Sequence, residues 1–165
     1  MIRGRIETDD DAIRRLNDAA FGGTAESKLV EDLRAAGLVA VELVAIDESA
    51  VIGHILFSEL TVTLDEDVVP ALSLAPMSVR PGRQNSGIGG ALVGAGLDLA
   101  KDGGWHAVIV LGHPGYYPRF GFSASRARPL KAPFSGDAFM AIELVTGALA
   151  GDSGLIRYPP PFGIA

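Results

Sequence analysis

Ser73–Val93 reads SLAPMSVRPGRQNSGIGGALV. An apolar run stops at Pro81-Gly82. A polar loop, Arg83-Gln84-Asn85-Ser86, follows, and Gly87-Ile88-Gly89-Gly90 then leads into Ala91-Leu92-Val93. The order is strand, glycine-rich turn, helix N-terminus. The N–H groups of a helix's first turn have no partner inside the helix. Glycines let a bound group come close to that backbone. The helix dipole adds to the attraction, so the stretch is an anion site suited to phosphate. Two common phosphate loops do not match. A Walker loop needs Lys and then Ser or Thr after its glycines, and neither follows here. The dinucleotide fingerprint needs a third glycine where this chain has Leu92. It also needs an acidic residue about 20 positions on, at the end of a second strand, and Trp105–Leu111 is uncharged.

Working outward toward the N-terminus, Val68–Arg80 is a β segment interrupted by Pro70 and Pro76. Val51–Leu64 and Leu38–Ile46 are two further β segments, with turns at 47–50 and 65–67. The three form an antiparallel meander. Pro76 has no N–H for a sheet ladder, so it marks a bulge or a place where the strand parts from its neighbour. Before the meander, Ala25–Ala36 is a helix with Leu29, Val30 and Leu33 on one face, stopped by Gly37. Ahead of it Ala12, Ile13, Leu16, Ala19 and Ala20 recur at helical spacing up to Phe21, and Thr8 or Asp9 caps that helix. Arg3–Glu7 is a short first strand.

Toward the C-terminus, the helix from Gly87 to Asp102 offers Leu92, Val93, Leu97 and Leu99 for packing and ends at Gly103-Gly104. Trp105–Leu111 is a nearly continuous apolar run, as in a strand buried on both faces. Strand, helix and strand of these lengths make a crossover unit. Ser123–Asp137 is loop-like, and Phe139–Val145 is the last strand. The Pro-rich end, Arg157–Phe162, runs extended. Its Tyr158–Phe162 segment is a candidate homodimer contact.

The composition narrows the function classes. The chain has 165 residues, enough for one domain with a real core. Lys and Arg number 14 against 20 Asp and Glu, a net charge of −6. An acidic chain without a basic block argues against nonspecific nucleic-acid or anionic-membrane binding. Arg80 and Arg83 are a local basic pair beside the glycine loop. The absence of cysteine excludes disulfides, thiolate catalysis and Cys-type zinc sites. His54, His106 and His113 lack a metal-ligand spacing, so no metal is expected. MIRGRIETDDD has no apolar core and does not read as a secretory signal, and no run reaches the ~18 apolar residues of a membrane span. The expected compartment is the cytoplasm.

Gln84-x-x-Gly87-x-Gly89 resembles the Gln/Arg-x-x-Gly-x-Gly/Ala loop of the GNAT superfamily of N-acetyltransferases. Tyr117-Pro118-Arg119-Phe120-Gly121-Phe122 resembles that family's Tyr-x-x-x-Gly-Phe signature. The longer stretch from Leu111 to Phe122 is similar to a bacterial subgroup of predicted N-acetyltransferases with Tyr-Tyr-x-Arg-Phe-Gly-Phe. The two motifs occur in the family's order, separated by one helix and one buried strand. The resemblance implies an α/β (α+β) fold over residues 1–165 as a single acyl-CoA N-acyltransferase domain. It would have a mixed sheet of about seven strands, splayed between strands 4 and 5 and flanked by about four helices.

The implied reaction is direct transfer of the acetyl group of acetyl-CoA, a cosubstrate, to a primary amine. By resemblance the pyrophosphate lies on Gln84, Asn85, Ser86, Gly87, Ile88, Gly89 and Gly90. The pantetheine arm enters the splay against the backbone of Met77, Ser78 and Val79, one of whose N–H groups also serves the oxyanion. His113 and Tyr116 are further cofactor-side candidates. Tyr117 is the implied catalytic acid. A free thiol has a pKa of about 8.5 and a tyrosine about 10, so the phenol can stay protonated at neutral pH and donate to the departing thiolate. An alternative for Tyr117 is an aromatic that packs the short helix on the sheet. Arg119 either meets a phosphate or caps the helix end. Phe21, Glu26 and Glu59 are acceptor-side candidates. Glu59 counts as a base only if buried, and an outward-facing Glu is the competing reading. A different function class, a non-catalytic acyl-CoA-binding module or sensor, would keep Gln84–Gly90 without needing Tyr117.

Overall fold

The computed structural model describes residues 1–164. Its chain forms two compact units, Met1–Ser58 with Ala75–Leu99, and Glu59–Leu74 with Ala100–Ala165. Two strands, β3 (Ala50–Leu64) and β4 (Asp67–Val79), run through both. The fold is mixed α/β, and its one sheet has eight strands.

The first unit begins with β1 (Ile2–Gly4) and a 3-10 turn, Glu7–Asp9. Helices α1 (Asp10–Phe21) and α2 (Ala25–Ala35) follow, then β2 (Val39–Asp47). The apolar spacing read from the sequence buries Ile13 and Leu16 of α1 and Val30 and Leu33 of α2. Gly22, at φ 74, closes α1 in the left-handed conformation that glycine adopts without cost. Asp9 does not cap α1 with its side chain. Its carboxylate instead accepts from the Ile6 N–H at 2.9 Å and from Arg3 at 2.8 and 3.0 Å, which fixes the 3-10 turn before the helix.

β2 pairs antiparallel with β3, from Val39↔Ser58 to Asp47↔Ala50. Glu48 and Ser49 both have positive φ, as a two-residue hairpin turn requires. Asp65 and Glu66 repeat that geometry between β3 and β4. Helix α3 (Ile88–Asp102) covers this sheet through close approaches at glycine. A Cβ on Gly53 would meet Leu92 at 2.9 Å and Ile88 at 3.0 Å. One on Gly96 would lie 2.6 Å from Phe57 Cζ. Gly96→Ala is therefore expected to cost about 1–3 kcal/mol by overpacking, read from the urea midpoint. Leu99, grouped with the packing residues on sequence, is 47% exposed.

In the second unit β4 pairs in parallel with β5 (Ala107–Leu111) at Ala71↔Ala107, Leu72↔Val108 and Ser73↔Ile109. The ladder stops there, before Pro76, in agreement with the expected parting of strands 4 and 5. β5 pairs antiparallel along its length with β7 (Phe139–Glu143). The core of this unit joins Val62, Val69, Ile109, Leu130, Phe139 and Ile156.

The polar stretch 123–137 is not wholly loop. It contains the four-residue helix α4 (Ala124–Ala127) and the two-residue strand β6 (Leu130–Lys131). β7 is not the last strand either. β8 (Gly154–Arg157) follows and pairs with both β3 and β6, which raises the expected seven strands to eight. The Pro-rich end is a 3-10 turn, Pro160–Phe162, rather than extended chain, since proline is tolerated in a helical first turn. Tyr158 there meets Phe134 at 5.6 Å and Phe162 at 5.0 Å.

Candidate active site

In the first unit the glycine loop is pinned at both ends. Arg80 donates its N–H to Ile52 O at 2.8 Å, and the Arg83 N–H closes a turn onto Arg80 O at 2.9 Å. Arg83 also forms an ion pair with Asp47 at 2.8 Å, so this half of the basic pair ties the loop to β2. Gln84 donates from Nε2 to Val79 O at 3.2 Å, which brings the motif glutamine onto the end of β4. Ser86 Oγ donates to Arg83 O. Asn85 and Gly87 have φ of 61 and 86.

The first intrahelical bond of α3 runs from Ala91 N to Gly87 O, and the N–H groups ahead of it have no partner within the helix. No acidic residue sits in the first turn of α3. An anion there meets unpaired donors and the positive dipole end without a competing carboxylate, so this part of the chain fits a diphosphate. Met77, Ser78 and Val79 lie on β4 immediately before the loop. The Ser78 hydroxyl is buried without a hydrogen-bond partner. Phe21 is 45% exposed at the end of α1, and Glu26 is half-buried in the first turn of α2.

In the second unit Tyr117 opens the short turn Tyr117–Phe120 that follows β5. His113 is exposed, and its carbonyl accepts from the N–H groups of Tyr116 at 3.0 Å and Tyr117 at 3.3 Å. The Tyr117 ring is 7% exposed. It stands edge-to-face with Tyr116 at 5.2 Å and with Phe122 at 5.6 Å. Burial, reinforced by Tyr116, pushes its pKa up to about 12. The phenol is therefore a proton donor across the neutral and mildly alkaline range. The ring also packs the turn, through Tyr116 and Phe122. Arg119 donates to the carbonyls of Tyr116 at 2.9 Å and Gly115 at 3.4 Å, and stacks on the Tyr116 ring at 4.6 Å. Both carbonyls precede the turn Tyr117–Phe120, so the guanidinium ties down the entry to the turn and does not cap its end. Glu59 is exposed on β3, so the burial that would have marked it as a base is not met.

Sequence reasoning missed a buried charged cluster in the first unit. Glu42 accepts from Arg34 at 3.0 and 2.5 Å and is bound to His54 Nε2 at 2.7 Å. Asn17 Nδ2 donates to Ile13 O at 3.1 Å and faces His54 Nδ1 at 3.3 Å. Anchored this way, the amide makes Nδ1 an acceptor, which leaves Nε2–H to donate to Glu42. Burial alone would push the Glu42 carboxyl up, but the hydrogen bonds from His54 and Arg34 outweigh it and hold the pKa at about 2. Both faces of β2 and β3 are apolar around these residues, so alternation gave Glu42 and His54 no distinctive place in the sequence.

Among the described residues no cluster of three or more His, Asp or Glu could hold a metal ion, and no helix is long and apolar enough to cross a membrane.

Comparison with known proteins gives one consistent result. A family model described as the acetyltransferase (GNAT) family matches residues 11–122. The Escherichia coli (strain K12) protein named uncharacterized N-acetyltransferase YhbS is 36% identical over 165 residues, covering 98% of each chain. A crystal structure of YhbS from Escherichia coli in complex with CoA superposes with a TM-score of 0.89 at 35% identity, covering 99% of this chain and 92% of that one. A GNAT family acetyltransferase from Brucella melitensis, in complex with acetyl-CoA, superposes with a TM-score of 0.79 at 32% identity, covering 98% and 97%.

Proposed function

Because the chain belongs to the acetyltransferase (GNAT) family, we propose that it moves the acetyl group of acetyl-CoA directly to a primary amine, on a small molecule or a protein. Residues 1–165 act in this reading as one acyltransferase domain, and the cytoplasm is its compartment. The observation that carries the acid half of the reaction is Tyr117, a buried phenol held protonated on the turn after β5. Support for the cosubstrate comes from the two relatives above 30% identity crystallised with CoA and acetyl-CoA.

The cosubstrate supplies an activated thioester. Residues Gln84–Gly90 hold its diphosphate on the free N–H groups at the start of α3. Backbone groups of Met77–Val79 receive the pantetheine arm, and one N–H there donates to the oxyanion that forms on the carbonyl. Tyr117 gives its proton to the sulfur as the C–S electron pair leaves with it, and water returns a proton to the phenolate. The amine loses its own proton to a base or a water relay. Tyr116 and His113 line the cofactor side in this reading, and Phe21 and Glu26 the acceptor side.

Calorimetric titration with acetyl-CoA and a coenzyme-release assay over a panel of amines test the reading. Binding together with release on at least one amine is expected. Gly87→Val should weaken acetyl-CoA about tenfold or more, because a β-branched residue at φ 86 is strained and reshapes the loop. Binding without release on any amine, unchanged by Tyr117→Phe, would support a non-catalytic acyl-CoA sensor instead.

A further inference from the structure

We infer that Gly112 is a positioning residue for Tyr117, leaving by its lack of a side chain the slot in which the phenol ring lies. The inference rests on the acid role proposed above for Tyr117. It begins with the reason Gly112 is glycine. Gly82, Gly87 and Gly121 have φ of 91, 86 and 102, a conformation that L side chains rarely adopt. Gly112 is not among the positive-φ residues, so other residues can adopt its backbone. What glycine contributes at 112 is space. A Cβ there would lie 2.8 Å from Tyr117 Cδ2 and 3.4 Å from Cζ, and closer still to Cε2.

Neither side of this contact can yield easily. The Gly112 N–H donates to Ala138 O at 2.9 Å, extending the β5–β7 ladder by one bond beyond Leu111↔Phe139. The ring is enclosed by Tyr116, Phe122 and Phe120, the last at 6.4 Å. Ordinary carbon contacts lie near ~3.5–4.0 Å. A methyl at 112 must therefore push the ring by roughly an ångström, and the hydroxyl at its tip moves with it. Displacement on that scale is enough to cost on the order of 10²-fold when the moved group takes part in the chemistry. Gly115, three residues on, provides the contrast: a Cβ there meets nothing within 4 Å.

The test compares Gly112→Ala, Gly115→Ala, Tyr117→Phe and the Gly112→Ala/Tyr117→Phe pair, using the full chain, acetyl-CoA and the best amine of the panel. Gly112→Ala should lower kcat by on the order of 10–10²-fold with KM for acetyl-CoA within about twofold, while Gly115→Ala changes neither. In the Tyr117→Phe background Gly112→Ala should add little, since the hydroxyl it misplaces is already gone. Two readouts need no turnover. Ultraviolet titration, with Tyr117→Phe used to assign the signal, should find the Tyr117 phenol ionising at a different pH in Gly112→Ala, as the displaced ring changes its burial. The stability lost in Gly112→Ala should also largely vanish in a Tyr117→Ala background, where no ring remains to be displaced.

Wild-type kcat in folded Gly112→Ala, an equal kcat loss in both backgrounds, or an unmoved titration would overturn the positioning role. Should Gly112→Ala not fold, Gly112→Ala/Tyr117→Ala is measured against Tyr117→Ala alone, and a further large stability loss in the pair refutes the slot. Wild-type kcat in Tyr117→Phe is a different outcome, which removes the acid role itself and the positioning role with it.

Discussion

Tyr117→Phe is expected to lower kcat by on the order of 10²–10⁴-fold while leaving the affinity for acetyl-CoA within about twofold. The substitution keeps the ring, and so keeps the edge-to-face contacts with Tyr116 and Phe122. Only the proton donor is lost. The pH dependence follows from the direction of the shift. Burial raises the phenol to about 12, so the donating form persists through the neutral range and well above it. The wild-type kcat profile should then have no descending limb from Tyr117 below about pH 11. In Tyr117→Phe the departing thiolate must be stabilised or protonated by solvent, and the residual rate measures how far water substitutes for the phenol. Stopped assays of free thiol over pH 6–10, for both proteins at saturating acetyl-CoA, make the comparison. A wild-type kcat in Tyr117→Phe would leave the ring with a packing role only.

What could be read in the sequence follows from how local each signal is. The positions of Gln84, Gly87 and Tyr117 on the fold were legible because their local pattern is written within a few residues: a strand end, a glycine turn, an aromatic run. The meander was legible because its turns, at Glu48-Ser49 and Asp65-Glu66, are polar pairs between apolar runs. β6 and β8 were not, since strands of two and four residues carry almost no pattern of their own. They exist through distant partners, with Gly154 opposite Leu64 on one side and Leu130 on the other. A Cβ on Gly154 would meet Leu64 Cδ1 at 3.2 Å, so the glycine is there to admit its neighbours.

Gly112 belongs to the same class. Its place in the motif was visible, but the Tyr117 ring that occupies its missing side chain was not. Leu99 failed in the opposite direction, because an apolar residue on a helix can be left facing outward at small cost. Asp9 was legible as a cap, but of the wrong element: the chain enters α1 through a 3-10 turn, and the carboxylate closes that turn instead.

Glu42→Ala should cost about 3–5 kcal/mol at pH 7, the largest stability loss expected of any single carboxylate in the chain. The reason is what the alanine leaves behind. Arg34 loses both of its hydrogen bonds to Glu42, and His54, fully buried, loses the acceptor for its Nε2–H. Glu42→Gln separates charge from shape, because it keeps an acceptor oxygen for one partner and removes the ion. The sign of the pH effect is set by the depressed pKa. Glu42 titrates at about 2 in the folded chain, against an ordinary value of 4.5. Its contribution is therefore complete above about pH 5 and is lost as pH falls toward 2, an increment of roughly 3 kcal/mol. Asp9, also held below the ordinary range by Arg3, adds to the same acid limb, so the wild-type curve alone does not isolate Glu42. The difference between wild type and Glu42→Gln does. Urea midpoints at pH 7 and pH 3 should lie far apart for the native chain and markedly closer for Glu42→Gln. If the two proteins lost equal stability between those pH values, the cluster of Arg34, Glu42 and His54 would not be the acid-sensitive tie between helix α2 and strands β2 and β3.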